Sequence, residues 1–196
     1  PLQCSADKPI TLTLAEGYIR QHEERFPRYI YLENLYKGFH DVYKQPEKPD
    51  WKPDNRLAVN FPRYITDTFL GFGYGVPIKK SHPDDTIAQA INDFERENEI
   101  TDHEYELARK CCIYGHAFEY LYQDEAKTKM TICTPMELFV VYDDTVKNRA
   151  LFAVRYGYHS TETEQPGQRY GEILTREEII PFEGSTAGEP MENPYG

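Results

Sequence analysis

The sequence lacks a long hydrophobic run and a targeting signal. Its longest aliphatic stretch is about Leu138 to Val141, whereas a membrane-spanning helix needs about 20 apolar residues. The first residues also lack the basic and then apolar pattern of a secretory signal. We therefore expect neither secretion nor insertion into a membrane.

Basic residues are fewer than acidic residues in this chain. The chain has 22 Lys and Arg against 33 Asp and Glu, which gives a formal net charge of −11. Affinity for nucleic-acid phosphates comes from Lys and Arg, so this balance argues against tight binding of a DNA or RNA backbone. An acidic surface suits general solubility, and it also suits a wall past which DNA slides without sticking. The net charge alone does not decide between these two roles.

Cysteine is scarce, and its four positions (4, 111, 112 and 133) form neither a CxxC metal site nor a disulfide framework. Cys111 falls on the inner face of a predicted helix, and Cys133 lies near the end of a predicted strand. This pattern predicts inert thiols in a protein of the reducing cytosol.

Aromatic residues are abundant, with 16 Tyr and 10 Phe among 196 residues. A chain of this length buries roughly 70% of its unfolded surface on folding. Because so many of the aromatic residues recur at helix or strand spacing, they supply much of the apolar area. By length the chain could form one domain or two small ones, and our prediction is a single domain over residues 1–196.

Residues 1–40 predict a helical segment. Thr13-x-x-Glu16 has the pattern of a capping box, so a first helix is expected from about residue 14 to residue 25. Pro27 suits the first turn of a second helix, which runs to about Lys37 and stops at Gly38. Residues 41–56 follow as a loop that holds three prolines and the only tryptophan.

Residues 57–115 predict three more helices. Asn60 caps the first, and we expect the glycines from Gly71 onward to end it. The second begins near Pro83. The third begins at another capping box, Thr101-x-x-Glu104, and stops at Gly115.

In residues 116–183 the apolar residues recur with a period of two, which predicts a β meander. Its first strand contains Phe118, Tyr120 and Tyr122. Further strands are expected at about 129–133, 138–142, 150–158 and 170–174. Residues 184–196 are rich in Gly, Pro and Glu, so we expect an irregular tail. The fold class is therefore α+β, with N-terminal helices followed by a small, mainly antiparallel sheet.

Chemistry has one weak candidate. Glu119, Asp143 and Asp144, with His116, are residue types that bind divalent cations. However, positions 116 and 119 face opposite sides of a strand, and the adjacent carboxylates suit an exposed turn. The sequence assigns no catalytic residue, no cofactor-binding residue and no metal ligand. A metal-dependent nuclease or hydrolase using these three carboxylates stays an alternative, as does an intracellular protein-binding adaptor.

Several blocks occur in an order that resembles the portal proteins of tailed bacteriophages, closest to those of long-tailed phages of Gram-positive bacteria. The resemblance covers roughly residues 14 to 158, and its specificity lies in the order and spacing of the blocks. These blocks are Tyr36-x-Gly38-x-His40, the run from Asp54 to Phe72, Gly75-Val76-Pro77, the run from Tyr114 to Glu119, and Val141-Tyr142-Asp143-Asp144.

The resemblance implies a structural subunit, not an enzyme, in a ring that usually has twelve copies at one capsid vertex. Double-stranded DNA is packaged and later ejected through such a ring without specific binding. The implied partners are other portal subunits and capsid or scaffold proteins. The implied location is the virion, after assembly in the cytoplasm of the bacterial host.

Portal proteins are usually more than twice this long, so the resemblance implies that this chain is the N-terminal, wing-forming part. Contacts with the terminase and the tail connector would lie in parts absent here. The subunit contacts and the core are expected on two helix faces, one around Tyr29, Leu32 and Tyr36 and the other around Phe61, Ile65 and Phe69.

Overall fold

The computed structural model describes residues 1–160 and 167–194. The helices are α1 Leu12–Glu23, α2 Phe26–Lys37, α3 Phe61–Tyr74, α4 Asp85–Glu97 and α5 Ile100–Tyr114. The strands are β1 Leu2–Cys4, β2 Phe118–Asp124, β3 Lys127–Cys133, β4 Leu138–Asp143, β5 Ala150–Tyr158, β6 Arg169–Thr175, β7 Glu178–Glu183, β8 Thr186–Ala187 and β9 Met191–Glu192. The predicted α+β class is confirmed.

The chain forms two compact units, whereas the sequence predicted one domain. The sheet unit comprises Pro1–Phe26 and Pro135–Gly196, and the helical unit comprises Pro27–Thr134. The chain leaves the sheet unit in the first turn of α2 and returns to it just before β4. Each unit has buried apolar residues of its own.

The sheet unit contains a seven-stranded sheet in the order β1-β4-β5-β6-β7-β8, with β9 also paired to β7. The pairing of β1 with β4 is parallel, and the other pairings are antiparallel. The predicted meander from 116 to 183 is therefore wrong as one sheet, because β2 and β3 form a separate antiparallel hairpin in the helical unit.

Besides β7, which lies within the predicted meander but was not predicted as a strand, three short strands were not predicted. β1, β8 and β9 contain two or three residues each, and segments this short carry no readable periodicity. They form because the edges of longer strands offer unpaired backbone groups to pair with. The prediction of an irregular tail over 184–196 is therefore wrong at β8 and β9.

The core of the sheet unit follows the predicted alternation in β5. Phe152, Val154 and Tyr156 point inward and are at most 5% exposed, while Ala153 and Arg155 between them are half-buried. Ala15 and Ile19 of α1 join the same cluster. Its buried members are Leu2, Cys4, Ala15, Ile19, Phe139, Val141, Phe152, Val154, Tyr156, Ile173 and Phe182.

His22 is a buried polar residue of this unit. Its Nε2–H donates to the carbonyl oxygen of Pro135 at 2.6 Å, and its Nδ1 accepts from the hydroxyl of Tyr156 at 2.9 Å. Burial raises the pKa of Tyr156, so the hydroxyl keeps its proton and can donate. The imidazole thus joins the end of α1 to the chain segment that enters β4.

Both predicted capping boxes misplace the helix start. The N-cap of α1 is Thr11, whose hydroxyl accepts from the N–H of Leu14 at 3.3 Å, so Thr13 lies inside the helix. α5 begins after Glu99, which has a left-handed backbone with φ 49°, so Thr101 also lies inside its helix. The stops at Gly38 and Gly115 are confirmed by their positive φ angles of 90° and 89°.

We expect Val154→Ala to lower the free energy of unfolding by about 2 kcal/mol, because it removes two methyl groups from a fully buried site and leaves a cavity. The matched control is Val146→Ala, since Val146 is fully exposed in the turn after β4. Urea denaturation followed by circular dichroism measures both variants. Equal stabilities would contradict the assignment of this core.

Candidate interaction surface

The junction between α2 and α3 depends on the amide of Asn60. Its Nδ2 donates to the carbonyl oxygen of Tyr36 at 2.9 Å, and its Oδ1 accepts from the N–H of Arg63 at 3.1 Å. A Cβ at Gly38 would lie 3.1 Å from Nδ2 of Asn60, at a backbone φ of +90°. A glycine therefore leaves room for the amide and also adopts the φ angle that ends α2.

A second contact sets the direction of α3. The hydroxyl of Tyr36 donates to Oδ1 of Asp67 at 2.8 Å. Burial raises the pKa of Tyr36, and the hydrogen bond to Asp67 raises it further, so the hydroxyl remains a donor. The predicted Asn60 cap is confirmed. The hydrogen bonds of Asn60 and Tyr36 together fix α3 against the end of α2.

The predicted end of α3 at Gly71 is wrong. The helix continues through Gly71 and Gly73 to Tyr74. A glycine inside a helix costs about 1 kcal/mol relative to alanine, and packing offsets this cost here. Leu70 is fully buried within the helical unit, which anchors the last turns of the helix.

The two predicted apolar faces have different surroundings. On α2, Tyr29 is buried, and its ring packs against Tyr114 with centroids 6.1 Å apart. The predicted face of α3 is instead exposed, so of the two expected roles, core and subunit contact, the core role is wrong for this face and the subunit contact stays a prediction. Its members are all at least 58% exposed: Phe61, Tyr64, Ile65, Phe69 and Phe72.

These five side chains define the α3 face. A large apolar side chain presents about 150–250 Å², so the face presents on the order of 600 Å² at the observed exposures. Soluble monomers rarely expose apolar patches above a few hundred Å². One side of a stable protein–protein interface covers about 800 Å². The α3 face therefore has the size and chemistry of a protein-binding surface.

The segment before α3, residues 41–59, is here called the arm. It contains one 3-10 turn, Asp41–Lys44, within the predicted loop. The guanidinium of Arg56 donates to the carbonyl oxygens of Gln45 at 2.7 Å and Pro46 at 2.8 Å. It also forms two hydrogen bonds with the carboxylate of Asp54, at 2.7 and 2.9 Å, and these lower the pKa of Asp54. One side chain therefore ties the arm together.

The carboxylates considered for metal binding do not come together. Glu119 lies in the helical unit, where Oε1 is 3.2 Å from Nε2 of His103. Asp143 lies in the sheet unit at the end of β4. Within residues 1–160 and 167–194, no group of three His, Cys, Asp or Glu side chains could hold a metal ion. The geometry gives the metal-dependent alternative no support.

Asp143 has a structural role. Its Oδ1 accepts from the hydroxyl of Thr145 at 2.8 Å and from the N–H groups of Thr145 and Arg149 at 3.2 and 3.0 Å. Burial raises the pKa of Asp143, but these hydrogen bonds outweigh it, and the pKa lies below its usual value. The charged carboxylate holds the turn between β4 and β5, while Asp144 is exposed.

A comparison with protein-family models matches residues 16–193 to the phage portal protein family, SPP1 Gp6-like. The chain belongs to this family. The match confirms the portal resemblance and extends it through β9. A comparison with curated proteins finds no match.

Portal proteins are structural components of the virion that assemble as oligomeric rings. The family blocks found in the sequence coincide with the contacts described above. Tyr36 and Gly38 meet Asn60 at the α2–α3 junction, and Asp143 holds the turn after β4. In the described part of the chain, no helix is both long enough and apolar enough to cross a membrane.

We expect Asp143→Asn to lower the melting temperature at pH 7. The folded pKa lies below the unfolded value of about 3.9, so the contribution of the carboxylate is complete above about pH 4 and is lost as the pH falls through the folded pKa. The difference from the unmodified chain should therefore shrink in acid. Thermal unfolding between pH 2 and pH 7 measures it.

The matched control for this turn is Asp144→Asn, which removes the neighbouring exposed charge. It should leave the melting temperature nearly unchanged at every pH. An equal effect of the two substitutions, or a loss for Asp143→Asn that does not vary with pH, would contradict the assigned role of Asp143.

Proposed function

We propose that this chain is a structural subunit of the portal ring at one capsid vertex, through which double-stranded DNA is packaged and ejected. The family match supports the portal role, and the α3 face supports assembly. A cyclic ring uses heterologous contacts, in which two different surfaces of each subunit meet. An apolar face of on the order of 600 Å² that nothing in residues 1–160 and 167–194 covers suits one of those surfaces.

The resemblance extends the proposal. The chain would form the wing-like part of a portal from a long-tailed phage of Gram-positive bacteria, in a ring of twelve subunits. Capsid or scaffold proteins would surround the ring, and the terminase and tail connector would bind other parts of the portal. The net charge of −11 suits a channel that DNA passes without specific binding, because like charges repel. Assembly would take place in the host cytoplasm.

An adaptor that binds a different protein would also use an exposed apolar face. The two functions differ in what binds there. A portal subunit binds copies of itself and forms a closed ring, whereas an adaptor remains a monomer until its partner is added. The mass of the purified protein therefore separates them.

The protein expressed from its complete gene should give one closed oligomer by native mass spectrometry. Ile65→Asp should weaken this association more than tenfold, a loss above about 1.4 kcal/mol, because it places a carboxylate in an apolar contact. The fold should survive, since Ile65 is 65% exposed in the single chain, and circular dichroism checks this.

The control is Val146→Asp, which adds the same charge at a fully exposed apolar residue of the sheet unit. It separates the loss of an apolar contact from added repulsion between acidic subunits. A protein that stays monomeric at all concentrations would contradict the portal-ring proposal. If both substitutions weakened association equally, the α3 face would not be one of the contacts between subunits.

A further inference from the structure

The helical unit contains an apolar groove that its own side chains do not fill. The apolar residues of α4 recur on one face of the helix, yet none of its residues is buried. The space beside this face has a volume of about 450 Å³. Its apolar lining comes from α4, α5 and β3: Ile87, Ala90, Ile91, Phe94, Ile100 and Met130.

The rim of the groove is acidic. Nζ of Lys80 lies 2.9 Å from the carboxylate of Glu95 and 2.8 Å from that of Glu104, and Glu119 also lines the groove. Three carboxylates against one ammonium, with His103 counted as neutral, leave two negative charges. The hydrogen bonds that Lys80 donates to Glu104 and Glu95 raise the pKa of Lys80, so Lys80 stays charged and the rim stays negative overall.

The tip of the arm, residues 48–52, presents an exposed indole beside a cation. Trp51 is 76% exposed, so it does not fill the groove of its own chain. Nζ of Lys52 lies 4.6 Å from the centroid of the Trp51 ring. Within the described part of the chain, no carboxylate lies within ion-pair distance of Lys52, whereas Nζ of Lys48 lies 3.9 Å from the carboxylate of Asp54. Lys52 is therefore the cation of the tip that can pair with a carboxylate of another subunit.

We propose that the α4–α5 groove of one subunit binds the Trp51 tip of the arm from a neighbouring copy of this chain. The proposal rests on the proposed portal ring and names two surfaces that meet in it. Buried tryptophans at the centre of an interface often carry a large share of the binding energy. The ammonium of Lys52 beside the indole is attracted to the negative rim, which favours one orientation of approach.

Two further observations favour a second copy as the occupant. The hydrogen bonds of Arg56 hold the arm in shape before contact, which lowers the entropy cost of docking. The arm also leads directly into the α3 face through Leu57 and Val59, which are 90% and 68% exposed. One subunit therefore carries exposed apolar side chains on the arm up to the start of α3, and the groove is a different surface, as a heterologous contact requires.

Trp51 is the only tryptophan of residues 1–196, so its emission is obtained as the difference between the protein from its complete gene and the Trp51→Phe variant of that protein. In the oligomer of the protein from its complete gene, we expect Trp51 fluorescence at shorter wavelength than in subunits separated by dilution, since the indole leaves water. Trp51→Ala and Ala90→Phe should each weaken association about tenfold or more. The first removes the tip, and the second fills the groove at an exposed residue.

The control for the groove is Asn92→Phe, which adds the same side chain to α4 at an exposed position outside the lining. It should leave association unchanged. The double variant Trp51→Ala with Ala90→Phe should associate no more weakly than either single variant, because both remove the same contact.

The outcomes separate this proposal from the portal ring itself. If Trp51 in the oligomer keeps the emission of an exposed indole, and if Trp51→Ala leaves association unchanged, the docking proposal is wrong. The ring proposal is unaffected by that result. Weakening by Ala90→Phe alone assigns the groove to another occupant and also overturns the proposal. The absence of any oligomer removes the ring, and the docking fails with it.

Discussion

The side-chain amide of Asn60 is the contact on which the arrangement of the interaction surface depends. It donates to the last turn of α2 and accepts from the first turn of α3, so one residue both starts the second helix and holds it to the first. Leu70 then anchors the far end of α3. With the helix fixed at both ends, its aromatic side faces outward by geometry, and Gly38 leaves room for the amide.

Local signals account for the part of the fold that could be predicted. Asn60, Pro27 and Gly115 act on backbone groups within one turn of themselves, so their effects are readable from sequence. Alternation in β5 is likewise a property of neighbouring residues. The separation of the β2–β3 hairpin from the main sheet was not predictable in this way, because the choice of partner strand depends on residues far apart in the chain. The short strands β1, β8 and β9 exist only through such partners.

The candidate surface likewise has features that local sequence predicts and features that depend on distant residues. Periodicity correctly placed Phe61, Ile65 and Phe69 on one side of a helix, but it carries no information on what covers that side. The organising role of Arg56 gave no sequence signal, because its acceptors are backbone carbonyls ten or more residues away, and any residue supplies a carbonyl. The groove beside α4 was invisible for a related reason: its apolar stripe looked like an ordinary core-facing helix.

The acidic charge and the exposed aromatic residues are best understood together. A net charge of −11 keeps separate subunits apart and in solution, which an apolar face of this size would otherwise threaten. Association must then overcome the repulsion, so a single weak contact is not enough. In a closed ring every subunit makes two contacts, and the last contact closes the ring without any further loss of translational freedom. For the proposed ring, repulsion of this kind would penalise small open assemblies, which gain too few contacts, relative to the closed ring.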